Sequence, residues 1–429
     1  MRYAILAIIL AAMSTATAQQ PAVLTVDLQN ALERAKVYGP QFLSADVATS
    51  IAREERVQAR SALLPTLNGL SQFIYTQPNG TPSGVFISND GPHVYNDQAL
   101  VQGEPFYYTK WTEYRRSQAA EAAVKAKKEI AARGLASTVI QSYYALATAQ
   151  RHLANSRLSV DEAQRFLSIT QKQEAGGEVA RADVIKAQLQ FQQRQRELNE
   201  AGTGAGKASI ALAVLLFADV NQAFSIVDDL SPNLPLPALE EIRGQALQAN
   251  PEVIAAEAGV RESGYGLKVA RSAYLPTFTV DYFYGINANV FARTGPEGRQ
   301  NLGSAVQGTL NIPVWNCGAT QSKVRQAQLQ KRQSEIDLNA ARRQLQANIG
   351  EFYLEAQTAR AQLESLSGSL VLAAESLRMA LLRYEAGEAT ALEVVDAQTT
   401  NAEARNARDD GLARYRLALA NLQTLTGRF

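Results

Sequence analysis

Ala59-Arg60-Ser61-Ala62-Leu63-Leu64-Pro65-Thr66 returns 211 residues further on as Ala270-Arg271-Ser272-Ala273-Tyr274-Leu275-Pro276-Thr277, with a single Leu/Tyr exchange. A long-period repeat outranks local signals, because it says how often one structural plan is used. Outward from this octad the matches continue in the same order. Pro40 and Pro251 each stand 25 residues before the second proline of their copy and open an Ala-rich, proline-free segment of helical composition. Proline suits a first helical turn, where its missing N–H has no partner to lose. Downstream, Pro105 and Pro313 close short alternating segments, and Tyr143-Tyr144 matches Phe352-Tyr353. Glu174-Ala-Gly-Gly leads to Ala187-Gln188 as Glu385-Ala-Gly leads to Ala397-Gln398, with one residue inserted in the first copy. Matches in one order at shifts of 208 to 211 predict an internal duplication. The repeats cover about 22–217 and 238–429 of a single continuous body, 19–429, each running helix, strand, strand, long helix, Gly turn, helix. The segment between them, 218–238, carries Asp228, Asp229, Pro232, Pro235 and Pro237 and reads as irregular.

After Pro276, Phe278, Val280, Tyr282, Tyr284 and Ile286 alternate with Thr277, Thr279, Asp281, Gly285 and Asn287; Phe283 is the exception. Val306, Gly308, Leu310 and Ile312 alternate in the same way with Gln307, Thr309 and Asn311. Period two predicts strands, and the loops at 77–96 and 288–300, rich in Gly, Pro, Asn and Ser, predict one hairpin per half, 66–106 and 277–314. Two readings are open: a four-stranded sheet under helices, or part of a transmembrane barrel. Closed membrane barrels begin at eight strands, and an open edge in lipid leaves backbone groups unpaired, so the barrel reading requires several chains.

No proline interrupts 108–174 or 319–385, so each copy allows a helix or helix stack of roughly 66 residues, on the order of 100 Å at about 1.5 Å per residue. That is too long for a compact domain. In the second copy Leu338, Leu345, Phe352, Ala359, Leu366, Ala373 and Ala380 form one heptad row. Ile349, Ala356, Leu363, Leu370, Leu377 and Tyr384 form a second, broken only at Arg342. The rows predict a coiled-coil seam whose partner is the following helix, Thr390 to Leu425. The helical stretches are expected over 109–218 and 319–427.

Composition removes several function classes. Lys and Arg number 42 against 41 Asp and Glu, a net charge of +1, without the clustered basic excess of a nucleic-acid footprint. No nucleic-acid partner is expected. One cysteine, Cys317, excludes an intramolecular disulfide, and with His93 and His152 it makes no recognisable metal set, so neither metal nor cofactor is expected. No P-loop, nucleophile elbow or H-E-x-x-H motif occurs, and an enzyme is not expected. A mean hydropathy of −0.18 is too polar for a bundle of membrane-spanning helices. Arg2, the apolar run from Tyr3 to Met13 and Ala16-Thr17-Ala18 have the layout of a secretory signal peptide, 1–18, cleaved after Ala18. The apolar core falls short of the roughly 20 residues that span a bilayer. Export is expected, without a lipid-modified cysteine at the new terminus.

The duplicated helix-Leu-Pro-strand junctions, Pro313-Val-Trp-Asn-Cys-Gly318, and Arg383-Tyr384-Glu-Ala-Gly387 followed by Glu393-Val-Val-Asp396-Ala-Gln398 carry a family likeness. Over essentially its whole mature length the chain resembles the TolC family of outer-membrane efflux and secretion channels. The resemblance implies a mainly α protomer with a β-barrel portion. It also implies a homotrimer whose twelve strands form one barrel in outer-membrane lipid, continuous with a twelve-helix periplasmic α-barrel that tapers to a closed tip. Its partners would be a periplasmic adaptor and an inner-membrane pump, and its role passive conduction. By the same resemblance Glu393 and Asp396 match the acidic rings of the gate, and Gly176, Gly177 and Gly387 the tip turns. Tyr384 and Asp183 match two latch residues. Ala389 stands where some members have a latch arginine, for which Arg181 or Arg383 is the substitute. Phe217 replaces, in the first copy, the glycine that the family pattern keeps at Gly427; the chain ends at Phe429, so a small equatorial extension is expected. Cys317 reads as a loop residue at the strand exit. The competing class is a soluble periplasmic coiled-coil adaptor or scaffold, which would not need matched alternating hairpins.

Overall fold

The computed structural model describes residues 24–75, 93–230 and 234–427. The signal-peptide reading and most of the first hairpin loop lie outside the described residues. The first half runs β1 (Leu24–Val26), α1 (Leu28–Tyr38), α2 (Pro40–Ser61), β2 (Thr66–Tyr75), β3 (His93–Gly103), α3 (Tyr108–Ala175) and α4 (Arg181–Leu216). The second runs β4 (Phe224–Ile226), α5 (Leu239–Ala249), α6 (Pro251–Ser272), β5 (Thr277–Ala288), β6 (Leu302–Asn311), α7 (Ala319–Glu385) and α8 (Ala391–Thr426). Pro40 and Pro251 are each the first residue of their helix, and Asn250 caps α6 by accepting from the Val253 amide. The chain divides into two compact units, each drawn from both halves: Met1–Leu43, Arg133–Ile242 and Ile349–Phe429 in one, Ser44–Ala132 and Arg243–Asn348 in the other.

The second unit holds a four-stranded antiparallel sheet in the order β2-β3-β5-β6. Its register makes Leu67, Val101, Tyr282 and Val306 successive cross-strand partners, an apolar row across all four strands. The next row is Thr66, Gln102, Asp281 and Gln307, on the opposite face. The apolar face is uncovered: Leu67 and Val306 are each 72% exposed, and Phe73, Tyr75, Tyr284 and Leu310 are exposed with them. A sheet packed under helices buries this face; lipid-facing strands leave it bare. Among the described residues, neither outer edge, on β2 or on β6, is paired.

At the β3–β5 seam Gly285 faces Gln98, and a Cβ there would lie 2.2 Å from the Asp97 carbonyl oxygen and 2.6 Å from Gln98 Cα. Backbone cannot yield as a side chain can. Gly285→Val is therefore expected to cost at least the roughly 1–3 kcal/mol of an overpacked site, read as a lower melting temperature of the protein in detergent. In the same unit Glu121 of α3 lies between Lys125, at 2.8 Å, and Arg56 of α2, and the two cations hold its carboxyl below the usual range.

In the first unit, β1 and β4 pair in parallel, Leu24 with Phe224 through Val26 with Ile226. The segment joining the halves is thus not wholly irregular, as its prolines and aspartates suggested. A strand of three residues shows no alternation to read. Side chains of α3 and α8 hold this segment by its carbonyls. Tyr143 donates to Val227 at 2.6 Å, Tyr415 to Leu234 at 2.7 Å, and Arg416 to Asp229. Burial, with the charge of Asp229 adding, pushes the Tyr143 phenol up and the Tyr144 phenol to about 12, so both stay protonated donors. Arg151 forks onto Asp228 at 2.7 and 2.9 Å and also reaches Asp409 at 3.1 Å, where Asn155 donates as well.

Helices α3 and α7 are uninterrupted at 68 and 67 residues. Of the two heptad rows of α7, Leu345, Ile349, Ala356, Ala359, Leu363, Ala373, Leu377 and Tyr384 are buried. Leu363 and Ala359 join Leu412 and Tyr415 of α8 in one core with Val139 and Tyr143 of α3. The exception, Arg342, lies outside the seam because it pairs with Glu257 of α6 at 2.9 Å. Helix α8 ends on Gly427 at φ +75°, whereas α4 ends on Phe217 in extended backbone. The left-handed cap requires glycine; the extended one admits a phenylalanine that is buried under Arg34.

Candidate functional site

The predicted residues gather at two helix-to-helix turns of the first unit. In the first turn Glu178 N–H donates to the Gln173 carbonyl and Gly177 N–H to Glu174; in the second, Glu388 N–H donates to Arg383 and Gly387 N–H to Tyr384. Each is a Schellman motif, which needs one left-handed residue. Gly177 at φ +79° and Gly387 at φ +76° supply it. Gly176 occupies the place of Ala386 and has no such requirement. This corrects the sequence alignment: Glu174 corresponds to Tyr384 rather than to Glu385, and no residue is inserted between turn and helix.

Beyond each turn a helix restarts. Thr390 caps α8 and forms a reciprocal capping box with Glu393, whose carboxylate accepts from the Thr390 amide at 3.2 Å. Asp183 holds the equivalent third position of α4, whose cap, Ala180, makes no side-chain bond. Arg383 is 3.4 Å from Glu393 and donates to the Glu388 carbonyl at 3.1 Å. Arg181 pairs with Glu174 at 3.4 Å. Each arginine thus closes its own turn within the protomer. Asp396, one turn beyond Glu393, is exposed and has no ion-pair partner among the described residues. The two carboxylates share an exposed face of α8 while Val394, Ala397 and Gln398 face inward.

Tyr384 joins the two hairpins. It is buried with Phe166, Ala187, Ala391 and Val394, meets the Phe166 ring edge-on at 5.1 Å, and donates to Thr170 Oγ1 at 3.3 Å. Burial pushes its phenol up, and Asp183 acts on it only through charge. Ala389 packs against the same cluster. Sequence reading missed Phe166 and Thr170, although counting 4, 3 and 4 from the buried Ser159 through Ala163 and Phe166 reaches Thr170. It also missed Arg194, buried and donating to Thr399 at 2.8 Å, and the 2.6 Å pair of Arg405 with Glu162. Cys317 is exposed at φ +54° ahead of α7. No cluster of His, Cys, Asp or Glu fit to hold a metal occurs among the described residues.

Residues 242–428 match the family model described as outer membrane efflux protein. The chain is 23% identical over 414 residues to the outer membrane protein TolC of Vibrio cholerae, covering 95% of this chain and 92% of that one. It is 25% identical over 287 residues to the pyoverdine export outer membrane protein OpmQ of Pseudomonas aeruginosa, covering 64% of this chain and 59% of that protein. Its fold matches the crystal structure of the Campylobacter jejuni CmeC outer membrane channel with a TM-score of 0.80 at 18% identity, over 93% of this chain and 85% of that one. An uncovered apolar sheet, paired long helices, the outer membrane efflux protein signature over the second half and a likeness to TolC over most of its length converge on one reading: the chain is similar to the efflux channels of the outer membrane and has their fold.

Proposed function

We propose that the chain is one third of an outer-membrane exit duct. Three copies close a twelve-stranded barrel in lipid from residues 66–106 and 277–314, and a twelve-helix periplasmic barrel from residues 109–218 and 319–427. The duct conducts passively, and an inner-membrane pump supplies both work and cargo. The observation that carries this reading is the four-stranded sheet with a bare apolar face and two unpaired edges among the described residues. In lipid, each backbone group left unpaired costs several kcal/mol, so further copies must complete the ring; the family likeness favours three. A soluble adaptor or scaffold accounts for the heptads but leaves this sheet unexplained, and the comparisons do not support it. The name of the pyoverdine exporter is consistent with small-molecule cargo.

Opening is a population shift in which a periplasmic adaptor binds the dilated tip better than the closed one. Glu393 and Asp396, repeated three times about the axis, favour cations there. Asp396 is the freer charge, since Glu393 also caps its helix. The test is purification from outer membranes in detergent, where the mass should be that of three chains, followed by planar-bilayer recording. The double variant Glu393→Ala, Asp396→Ala should lose most of the wild-type preference for cations. A monodisperse single chain in plain buffer would sink the duct, and unchanged selectivity would remove the two carboxylates from the gate.

A further inference from the structure

A trough of about 790 Å³ lies in the second unit between α3, α6 and α7. That is within the roughly 300–1,000 Å³ of small-molecule sites. Its floor is one face of α6, where Gly259, Ser263, Gly266 and Ala270 recur at spacings of 4, 3 and 4. The space above them is open: a Cβ on Gly259 would meet nothing within 4 Å, and one on Gly266 would meet only Arg116 Nε, at 4.0 Å. Glycine weakens a helix interior relative to alanine, and here it leaves room rather than a contact.

The walls carry the chemistry. Arg116 lies 3.1 Å from Glu113 and 3.9 Å from Glu262, so its charge is largely answered. Lys323, on the opposite wall, is exposed and has no ion-pair partner among the described residues. Gln326 and Gln330 follow it one and two turns along α7 and also line the trough, adding amide donors. Thr277 and Asn311 line it too; they are direct cross-strand partners on the polar face of the sheet, opposite Tyr282 and Val306. The trough therefore opens on the side of the wall that becomes the lumen if the chain closes a duct, and the inference rests on that reading.

We propose that this trough is a lumenal binding site for small oxyanion-bearing solutes, with Lys323 as the charge that captures them and the glutamine amides as hydrogen-bond donors. Three copies would form a cationic girdle inside the sheet end of the duct.

The experiment is single-channel recording of the intact protein in planar bilayers, with citrate or inorganic pyrophosphate added from the side of the hairpin loops and sucrose and spermidine as neutral and cationic controls. Wild type should show transient blocks with the two anions only; whichever blocks longer identifies carboxylate or phosphate as the preferred group. Lys323→Gln should shorten the blocks by about fivefold, as expected for loss of one partly solvated charge contact. Lys323→Arg should restore them. Gly259→Leu, which fills open space, should shorten them as well. Blocks indifferent to these substitutions, or produced by spermidine instead, would overturn the site and leave the duct standing. A protein that leaves the membrane as a monodisperse single chain in plain buffer would overturn the duct and the site with it.

Discussion

Tyr384→Ala is expected to loosen the tip by about 3–5 kcal/mol, the usual cost of truncating a buried aromatic ring. The ring is 3% exposed and fills the space among Phe166, Ala187, Ala391 and Val394, so little nearby can collapse into the hole. Tyr384→Phe should cost only about 1 kcal/mol, because Thr170 keeps its 3.0 Å bond to the Phe166 carbonyl when the phenol is gone. The two variants separate packing from hydrogen bonding. Hydrogen exchange over the last turns of α3 and α7 reads the difference: protection should fall by about 100-fold or more for alanine and by less than about tenfold for phenylalanine. Channel conductance should rise in the same order. If alanine leaves both exchange and conductance as in wild type, Tyr384 has no part in holding the hairpins together.

Arg151→Ala should cost about 3 kcal/mol, the low end for breaking a buried ion pair. Asp409 is only 8% exposed and would be left with its charge, while Asn155 still donates to it and the half-exposed Asp228 can turn to water. The loss should concentrate where the guanidinium works, on the segment around Asp228 and Leu230 that it ties to α3 and α8. Limited proteolysis there should accelerate, with the sheet unaffected. Arg151→Lys keeps a charge but not the fork and should fall between the two. Uniform cleavage rates in all three proteins would show that the other tethers, from Tyr143, Tyr415 and Arg416, hold the segment by themselves.

The sequence makes some of this visible and hides the rest for physical reasons. Alternation such as Phe278, Val280, Tyr282 is legible because each strand must present one face to an apolar medium and the other to water, and β5 occupies that stretch. The heptad rows of α7 are legible because a seam of this length repeats its demand many times, and the one dissenting residue, Arg342, has its own partner in Glu257. The pairing of β3 with β5 depends on a close approach at Gly285 that no local pattern announces. At the turns, the identity of Glu174-Ala-Gly with Glu385-Ala-Gly misleads by one residue. The backbone selects the glycine that can take a left-handed conformation, and Gly176 beside Gly177 obscures which one that is. Thr170 is hidden because a threonine in a helical seam reads as polar surface until its neighbours are placed. The acidic pair is visible, but the cap that occupies Glu393 is not, because Thr390 and Glu393 read as an ordinary helix start.

The parallel ribbon of Leu24–Val26 with Phe224–Ile226 sets a timetable. Its two members are separated by 200 positions, so at roughly 5–20 residues per second the earlier one waits about 10–40 s before its mate has been synthesised. During that interval Leu24 to Val26 have no partner strand. The start of the first repeat is thus fastened late, by the piece of chain that follows that repeat.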